Sequence, residues 1–547
     1  MLVKDYICRY LEELECQHVF GVSGANIEDL YSAIFKSKKV SVVLSKNEYN
    51  AGMMAIGSYI SSKSVRAVLT TSGAGVLNTI PILAEGYSSK LPFVLISGTV
   101  PQNLEGKGAF QDTSGAGDTF DLSKMLDPCT HSVFNIREAS EIPKAIIQAF
   151  ARAKKSKRPT AVLIPKNIFN MEIPSHIMKE VHKEDVVEEW PLNFELAREF
   201  ISRVLINKNE SPLIILGEDL IHLKDLRNIQ LFAKNLNGKI ALTPVAKGFY
   251  DHLDSDFLGL TGVMGHDDVN AHLKTCHDVI VIGSKMDMLS RFSMEADFEN
   301  KKVLHFNSEI QRSNLKSMER IEVLGDIEKN IFKLYQDFGF HNDFPAPAHT
   351  RHELEHTHHH HIDYTSAIAL IGNELESDAD VFVDAGNSGA FVIHDLKVRG
   401  EGLFYVSLGM GGMGNSIGAS IGSAIESKKK TYVFLGDGSF LMHGLEIHTA
   451  IQHSLPMVFF IFNNNSHGMC STRESIFLDG ETGVNNFRPC YFGQGFDRIF
   501  PEVQSFEVNT MEELRFTMLK TKHPSMPCIV SINIDNHAKP PFRTFNK

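Results

Sequence analysis

The sequence lacks three features that would place the chain in a special class of protein. Its seven cysteines are dispersed and form no CxxC pair, which is typical of reduced thiols rather than a disulfide framework. No apolar run approaches the roughly 20 residues of a membrane-spanning helix. The first residues have no basic segment followed by an apolar one, as a signal peptide would. We therefore expect a cytoplasmic protein without a membrane anchor.

An excess of positive charge is also missing. The formal net charge is -12, which disfavours a protein that binds nucleic acids or anionic membranes over a wide surface. With 547 residues, the chain is too long for a single hydrophobic core. These properties predict several domains and small-molecule ligands, with no nucleic-acid partner and no membrane partner.

What the sequence has in abundance is short apolar runs. Three successive blocks repeat the order apolar run, turn and helical stretch; examples are "RAVLTTSGAG", "DVIVIGSK" and "MVFFIFN". Near-continuous apolar runs are typical of strands that are buried on both faces of a parallel sheet. The predicted fold class is α/β, with three doubly wound parallel-sheet domains at residues 1–171, 190–340 and 362–547.

Two polar connectors separate these predicted domains, at about residues 172–191 and 341–363. The second carries a histidine cluster at 356–361. Consecutive histidines on a loop lack the fixed geometry of a specific metal site, so we interpret the cluster as part of a solvated linker.

Polar residues follow two neighbouring apolar runs of the third block. "TYVFLGDG" contains Asp437 between Gly436 and Gly438, and Asn464 follows "MVFFIFN". A right-handed βαβ crossover would bring both loops to one edge of a sheet. Carboxylate and amide oxygens suit Mg²⁺ or Ca²⁺, and the glycines and the amides at a helix start, near Ser439, suit a phosphate. The pattern predicts a divalent ion that holds a phosphorylated cofactor.

Gly-Asp-Gly followed at this distance by a double Asn resembles the diphosphate-binding motif of thiamine-diphosphate enzymes. In that family the Asp, the second Asn and a backbone carbonyl hold Mg²⁺. The resemblance thus implies Asp437, Asn464 and Ser466 as metal ligands. It also places His467, Gly468 and Met469 beside the cofactor.

The resemblance implies a second half-site in the first domain. Glu48 follows the second apolar run and opens a helix, where the family has the carboxylate that hydrogen-bonds the aminopyrimidine ring. Taken alone, Glu48 could equally be a first-turn acid that complements the helix dipole. Gly24 in "VFGVSGANIEDL" matches a cofactor-binding position, and Gln111 in "AFQD" matches a catalytic glutamine that faces the reactive carbon.

A glycine-rich stretch at residues 407–425, "SLGMGGMGNSIGASIGSAI", follows another apolar run. In the family a large apolar residue here supports the bent cofactor, and Met413 matches it. The Gly411 carbonyl would accept a hydrogen bond from the cofactor's amino group. The same glycines are also compatible with close packing of a helix on the sheet.

The whole chain most resembles the acetohydroxyacid (acetolactate) synthase group. The resemblance implies a carboligase that decarboxylates a 2-oxo acid and transfers the acyl unit to a second carbonyl. A simple 2-oxo acid decarboxylase and an inactive cofactor-binding paralogue are the alternatives. It further implies a homodimer or homotetramer with the active site at the subunit interface. FAD is not favoured, because the central segment "VIGSKMDMLSRFS" loses most of the group's flavin-binding pattern.

One position departs from the group. Where those synthases carry a tryptophan that selects the second substrate, this chain has Arg473. If Arg473 faces the pocket, a charge-assisted contact would favour an anionic substrate. The alternative is a surface arginine paired with an acid such as Glu474.

Overall fold

The structure is a computed structural model that describes residues 1–177, 192–207, 209–310, 315–341, 362–478, 480, 482–535 and 538–545. The predicted connectors fall largely outside the described residues, and the histidine cluster at 356–361 lies wholly outside them. Within the described ranges, no helix has both the length and the apolar character needed to cross a membrane.

The N-terminal part forms a parallel sheet with the strand order β2-β1-β3-β4-β6-β5. Its strands are β1 (His18–Gly21), β2 (Ser41–Leu44), β3 (Arg66–Thr70), β4 (Phe93–Thr99), β5 (Val133–Asn135) and β6 (Thr160–Pro165). The α-helices around it are Val3–Glu13, Glu28–Phe35, Glu48–Ser62, Ala74–Leu77, Ile80–Ser88, Leu122–Leu126 and Ile142–Ser156.

The central part forms a second parallel sheet, with the order β12-β11-β10-β7-β8-β9. Its strands are β7 (Leu213–Leu216), β8 (Lys239–Leu242), β9 (Phe257–Leu260), β10 (Asp278–Ile282), β11 (Lys302–Asn307) and β12 (Glu319–Leu324). The helices are Phe194–Ile206, Arg227–Asn235, Asp267–Thr275, Met288–Arg291, Glu295–Phe298 and Ile327–Asp337.

The C-terminal part forms a third parallel sheet, with the order β14-β13-β15-β16-β18-β17. Its strands are β13 (Asp380–Val383), β14 (Phe404–Val406), β15 (Thr431–Gly436), β16 (Met457–Asn463), β17 (Gln504–Val508) and β18 (Cys528–Asn533). The helices are Tyr364–Glu374, Asn387–Asp395, Asn415–Ser427, Asp437–His443, Ile447–Gln452, Gly468–Phe477, Phe492–Ile499 and Met511–Lys520.

The prediction of three α/β units with parallel sheets is confirmed. Strands β5, β9, β12 and β17 were not anticipated from apolar runs, and each lies at an edge of its sheet. β17, for example, has one buried residue, Val508. The helix expected after Asp437 is interrupted by a 3₁₀ turn at Gly444–Glu446.

The first and third sheets are joined through two helices, Glu48–Ser62 and Asn415–Ser427. Glycines allow their backbones to meet: a Cβ added to Gly57 would lie 1.8 Å from the carbonyl oxygen of Ala419. A Cβ on Gly422 would lie 2.0 Å from the carbonyl oxygen of Met54. This close packing fixes how the two candidate cofactor-binding units sit against each other within one chain.

Candidate active site

A cavity of about 500 Å³ opens at the carboxyl edge of the third sheet. It forms there because β15 and β16 are parallel neighbours, with Gly436 paired to Phe462, so the loops that follow them emerge side by side. The predicted residues that line it are Gly411, Met413, Gly436, Asp437, Gly438, Ser439, Asn464, Ser466, His467, Gly468 and Met469. The sheet topology thus brings together residues that are far apart in sequence.

Asp437 lines this cavity and is 2% exposed. Its Oδ1 accepts from the Gly438 amide at 2.8 Å, and its Oδ2 accepts from the Ser466 amide at 3.3 Å. The Ser466 amide also donates to Asn464 Oδ1 at 3.1 Å. The Ser466 backbone amide therefore holds the Asp437 carboxylate and the Asn464 side-chain oxygen, the two predicted metal ligands, next to each other.

The electrostatics of Asp437 favour a bound cation. Burial raises the pKa of this carboxyl to about 6, although hydrogen bonds from the surrounding backbone amides act in the opposite direction. An ionised carboxylate in such a setting is stabilised by a nearby positive charge. No group of three or more His, Cys, Asp or Glu side chains suited to a metal occurs among the described residues. A metal at Asp437 would therefore rely on amide and carbonyl oxygens.

The glycine-rich loop (residues 407–414) forms another wall. Met413 points toward Gly438, since a Cβ on that glycine would lie 3.1 Å from Met413 Cε and 2.8 Å from His467 Nδ1. Gly411 has a φ of +68°, and its missing Cβ would point into open space. Met413 and Gly411 thus both line the cavity.

The lining fits a phosphorylated cofactor that carries a divalent ion. His467 Nδ1 and Asn387 Oδ1 are buried and have no hydrogen-bond partner among the described residues. Both residues line the cavity. Gly386, with a φ of +118°, leaves further open space there. Unpaired buried polar atoms are costly, so groups of this kind point to a polar ligand.

Glu48 lies in a separate cluster in the first unit. Only 8% of its side chain is exposed, and its Oε2 accepts from Asn78 Nδ2 at 3.0 Å. It begins the helix Glu48–Ser62, whose N-cap residue Asn47 accepts from the Asn50 amide at 2.8 Å. A Cβ on Gly75 would lie 3.1 Å from Glu48 Oε1, so the carboxyl sits against bare backbone.

Gln111 and Gly24 are placed in the same part of the first unit. The Thr71 hydroxyl lies 3.4 Å from Gln111 Oε1, and a Cβ on Gly24 would lie 2.7 Å from Thr71 Cβ. Gln111 has a φ of +62°, and its side chain packs against Gly73. The structure therefore groups Gln111 and Gly24 around one threonine.

Within one chain, the two groups of residues do not share a cavity. Glu48, Gln111 and Gly24 are not among the residues that line the pocket beside Asp437. Arg473 does not line it either: this side chain is exposed, and its guanidinium lies 5.3 Å from the Phe477 ring centre. In the single chain these two groups of residues therefore lie apart, and Arg473 lies on the surface.

Two functional candidates escaped the sequence reasoning. Asp384 and Asn387 follow β13 in "DAGN" and line the cavity. Asn387 Nδ2 donates to Thr472 Oγ1 at 3.0 Å, which ties it to the helix that follows the double Asn. The sequence contained a signal for both residues: polar residues and a glycine directly follow a buried strand that ends at the same sheet edge.

Comparisons with known proteins agree with this architecture. Models of thiamine pyrophosphate enzymes match three parts of the chain: the N-terminal TPP binding domain at residues 1–121, the central domain at 203–334 and the C-terminal TPP binding domain at 384–522. The three parallel sheets and the matched domains are those of a cofactor-dependent α/β enzyme. It belongs to the thiamine pyrophosphate enzyme family and is related to the acetolactate synthase group.

Relatives of that group are distant. The acetolactate synthase large subunit of Lactococcus lactis is 24% identical over 487 residues, covering 86% of this chain and 82% of the relative. The acetolactate synthase isozyme 1 large subunit of Escherichia coli is 23% identical over 559 residues, covering 98% and 94%.

Solved structures share the fold. A thiamine diphosphate-dependent 4-hydroxybenzoylformate decarboxylase of Rhodococcus jostii RHA1 superposes with a TM-score of 0.85 at 18% identity, covering 98% of this chain and 99% of that one. Benzoylformate decarboxylase from Polynucleobacter necessarius gives a TM-score of 0.83 at 18% identity, with the same coverage. The identification of the family is confirmed, whereas the reaction is not decided by these likenesses.

Proposed function

We propose that the chain is a thiamine-diphosphate- and Mg²⁺-dependent carboligase that acts on 2-oxo acids. The observation that carries the proposal is the shared amide of Ser466, which places Asp437 Oδ2 and Asn464 Oδ1 side by side in a cavity of the third sheet. Bound thiamine diphosphate supplies a thiazolium ring that accepts the electron pair released when a 2-oxo acid loses CO₂.

The residues around Asp437 would bind the cofactor's diphosphate. Asp437, Asn464 and the Ser466 carbonyl offer hard oxygen ligands, which Mg²⁺ prefers. His467, with an unpaired buried Nδ1, is suited to a polar group of the cofactor. Met413 would support the cofactor from below, because its apolar side chain can adapt to a ring. Together these contacts would fix the cofactor's orientation.

Glu48 would hold a proton at the other end of the cofactor. Its buried carboxyl, oriented by Asn78, is suited to hydrogen-bond the aminopyrimidine ring. Because Glu48 does not line the cavity beside Asp437, we infer that the second half-site comes from another copy of the chain. Gln111 would then face the same reaction centre.

Exposed apolar residues support a homodimer or a larger homo-oligomer. Leu441, Met442 and Leu445 are exposed by 51%, 52% and 62%, respectively. Met442 also lines the cavity. In the first unit, Phe110, next to Gln111, is 84% exposed. Apolar side chains that border a site are typical of a surface that another protein covers. A second copy would bury them and complete the site.

FAD is not part of the proposal. The cavity at the carboxyl edge of the central sheet, beside Glu218 and Lys285, has a volume of about 100 Å³. Cofactor pockets are commonly about 300–1,000 Å³. The central unit would then serve as a scaffold.

A product assay separates the two candidate reactions. Simple decarboxylation is the second candidate, because the structural neighbours named above are decarboxylases. Purified protein would be incubated with thiamine diphosphate, Mg²⁺ and a panel of 2-oxo acids, and aldehydes and 2-hydroxy ketones or acids would be quantified. We expect carboligation products. Aldehyde as the sole product would favour the decarboxylase, and no CO₂ release that depends on cofactor would favour an inactive paralogue.

Mixing two inactive variants tests whether one site uses two chains. Glu48→Gln and Asp437→Asn would each be inactive alone. If each site combines Glu48 of one chain with Asp437 of another, random re-association restores about a quarter of the wild-type activity. A mixture that stayed as inactive as its components would place both residues of a site in the same chain.

A further inference from the structure

The glycine-rich loop (residues 407–414) is held by two buried carboxylates, one on each side of its cavity-facing part. On one side, Glu85 Oε1 accepts from the Gly409 amide at 3.1 Å, and its Oε2 accepts from the Met410 amide at 2.6 Å. On the other side, Asp384 accepts from the Gly414 amide at 2.7 Å.

These two carboxylates belong to different units of the chain. Asp384 follows β13 of the third sheet, and it also accepts from the Ser416 amide at 3.1 Å. Glu85 comes from the helix Ile80–Ser88 of the first unit, and its side chain is 1% exposed. The Ser89 hydroxyl donates to Glu85 Oε1 at 2.7 Å. Each carboxylate is therefore occupied by neighbours and fixed in place.

The two glycines between the anchors carry no side chains that could hold the loop. Gly411 has no atom within 4 Å of its missing Cβ, whereas a Cβ on Gly412 would lie 2.7 Å from the hydroxyl oxygen of Tyr49. Yet Met413 directly follows them and points toward Gly438 in the cavity. The position of Met413 and of the Gly411 carbonyl consequently depends on how firmly residues 409, 410 and 414 are held.

We propose that Glu85 is a positioning residue: from the first unit, it fixes the loop of the third unit that supports the cofactor. Hydrogen bonds from amides to a carboxylate are stronger than neutral ones, so two of them can define a loop that glycines leave free. The inference rests on the proposed function for its ligand, thiamine diphosphate. It concerns residues that do not touch the reacting atoms.

Glu85→Gln is the test variant. The glutamine side chain has the size of the glutamate side chain, but its NH₂ group would face one of the two loop amides. Two donors cannot form a hydrogen bond, so one of the two contacts would be lost. Hydrogen exchange of the peptide that contains Gly409 and Met410 should become about tenfold faster in protein without added cofactor. Calorimetric titration with thiamine diphosphate in the presence of Mg²⁺ should give a dissociation constant about tenfold higher.

Glu426→Gln provides a matched control. Glu426 is also a buried carboxylate between the first and third units, where it pairs with Arg66 at 2.9 Å and accepts from the Ser58 hydroxyl at 2.6 Å. It does not contact the loop. We expect this variant to lower the melting temperature at least as much as Glu85→Gln, with loop exchange and cofactor affinity close to wild type.

The outcomes separate the inference from the proposed function. Unchanged loop exchange and unchanged cofactor affinity in Glu85→Gln would overturn the positioning role, even if the protein melted earlier. Equal increases in loop exchange and in the dissociation constant for Glu426→Gln would also overturn it. They would mean that weakening any contact between the first and third units loosens the loop. If the wild-type protein itself bound no thiamine diphosphate, the proposed function would fail, and faster loop exchange in Glu85→Gln would still establish the anchor.

Discussion

The first and third sheets have the same strand order but carry different chemistry. Counted from the first strand of each, both run 2-1-3-4-6-5. The second strand is followed by Glu48 in one unit and by the glycine-rich loop in the other. The third is followed by Thr71 in one and by Asp437 in the other. One topology thus provides equivalent loop positions, and those positions carry different residues in the two units.

The central sheet has a different strand order, and the residues at its carboxyl edge make different contacts. Its order corresponds to 3-2-1-4-5-6, an arrangement that commonly binds dinucleotides at the carboxyl edge. Here Asp219, which follows β7, forms a buried ion pair with Lys90 of the first unit at 2.7 Å. This edge is tied to a neighbouring unit, whereas the edge of the third sheet opens into a cavity.

The largest expected effect is a loss of cofactor affinity in the third unit. Asp437→Asn should weaken binding of thiamine diphosphate with Mg²⁺ by at least about 100-fold, because even residues behind metal ligands change affinity by about 10–100-fold. Calorimetric titration measures this. The exposed Asp378 of the same unit, changed to Asn, is the control and should bind as wild type. Normal affinity in Asp437→Asn would contradict the metal assignment.

Glu48→Gln should lower turnover and leave cofactor affinity nearly unchanged. We expect CO₂ release from a 2-oxo acid to fall by at least about 100-fold, as is usual when a group that transfers protons is lost. The cofactor should still bind, within about tenfold of wild type, because the metal half-site is intact. Stopped-flow or coupled assays of CO₂ measure the rate. Full activity in this variant would remove Glu48 from the catalytic residues.

The contact between the two similar units should be sensitive to a single methyl group. Gly57→Ala places a Cβ against the Ala419 carbonyl oxygen, which cannot move without shifting its helix. We expect a loss of at least about 3 kcal/mol of stability, at the upper end for overpacking. Thermal unfolding measures it. Gly495→Ala is the control, since no atom lies within 4 Å of its added Cβ; an equal loss there would indicate a general effect of helix glycines.

A smaller effect should depend on pH. Glu446, which is 1% exposed, accepts from the Lys46 amide and from the Thr449 hydroxyl, and burial raises its pKa to about 7 from a usual value of 4.5. Its protonated form is favoured in the folded protein, so the stability it contributes is present below pH 4.5 and is lost as the pH rises through about 7. The loss amounts to about 3 kcal/mol.

Glu446→Gln removes this pH dependence. Relative to wild type, its melting temperature should rise by several degrees between pH 4.5 and 8. The exposed Glu502, changed to Gln, is the control and should give a constant difference from wild type. A constant difference for Glu446→Gln as well would mean that Glu446 is ionised to the same extent in the folded and unfolded chain.

The smallest expected effect concerns Arg473. An exposed charged contact contributes up to about 1 kcal/mol, so Arg473→Leu should change kcat/KM for an anionic acceptor by less than about fivefold. The measurement compares acceptors with and without an additional carboxylate. A loss of more than about thirtyfold, restricted to the anionic acceptor, would mean that the assembled protein buries Arg473 against the substrate.

The central strands of each sheet could be predicted because burial on both faces requires apolar runs such as "MVFFIFN". The edge strands β12 and β17 could not, because their sequences, "ERIEVL" and "QSFEV", mix polar and apolar residues; β5 has only three residues, and Gly259 interrupts the apolar run of β9. The closeness of Asp437 and Asn464 was predictable for a similar reason, because each directly follows an apolar run and parallel neighbouring strands end at the same edge of a sheet.

The partners of these residues were not predictable. Asn78 reaches Glu48, and Glu85 reaches the Gly409 amide, over sequence separations that no periodicity reveals. The sequence left open whether Arg473 faces the pocket or the surface, and in the single chain its side chain is exposed. Such contacts are set by how whole units pack.

The sequence by itself determined the three parallel sheets, the loops that carry Asp437 and Glu48, and the family to which the chain belongs, because strand burial and strand-end chemistry are local properties. Only the tertiary structure decided that Glu48 does not line the cavity beside Asp437 within one chain and that Glu85 accepts hydrogen bonds from the glycine-rich loop. Helices whose glycines let their backbones touch fix the relative position of the units, and that position is a property of the packed molecule.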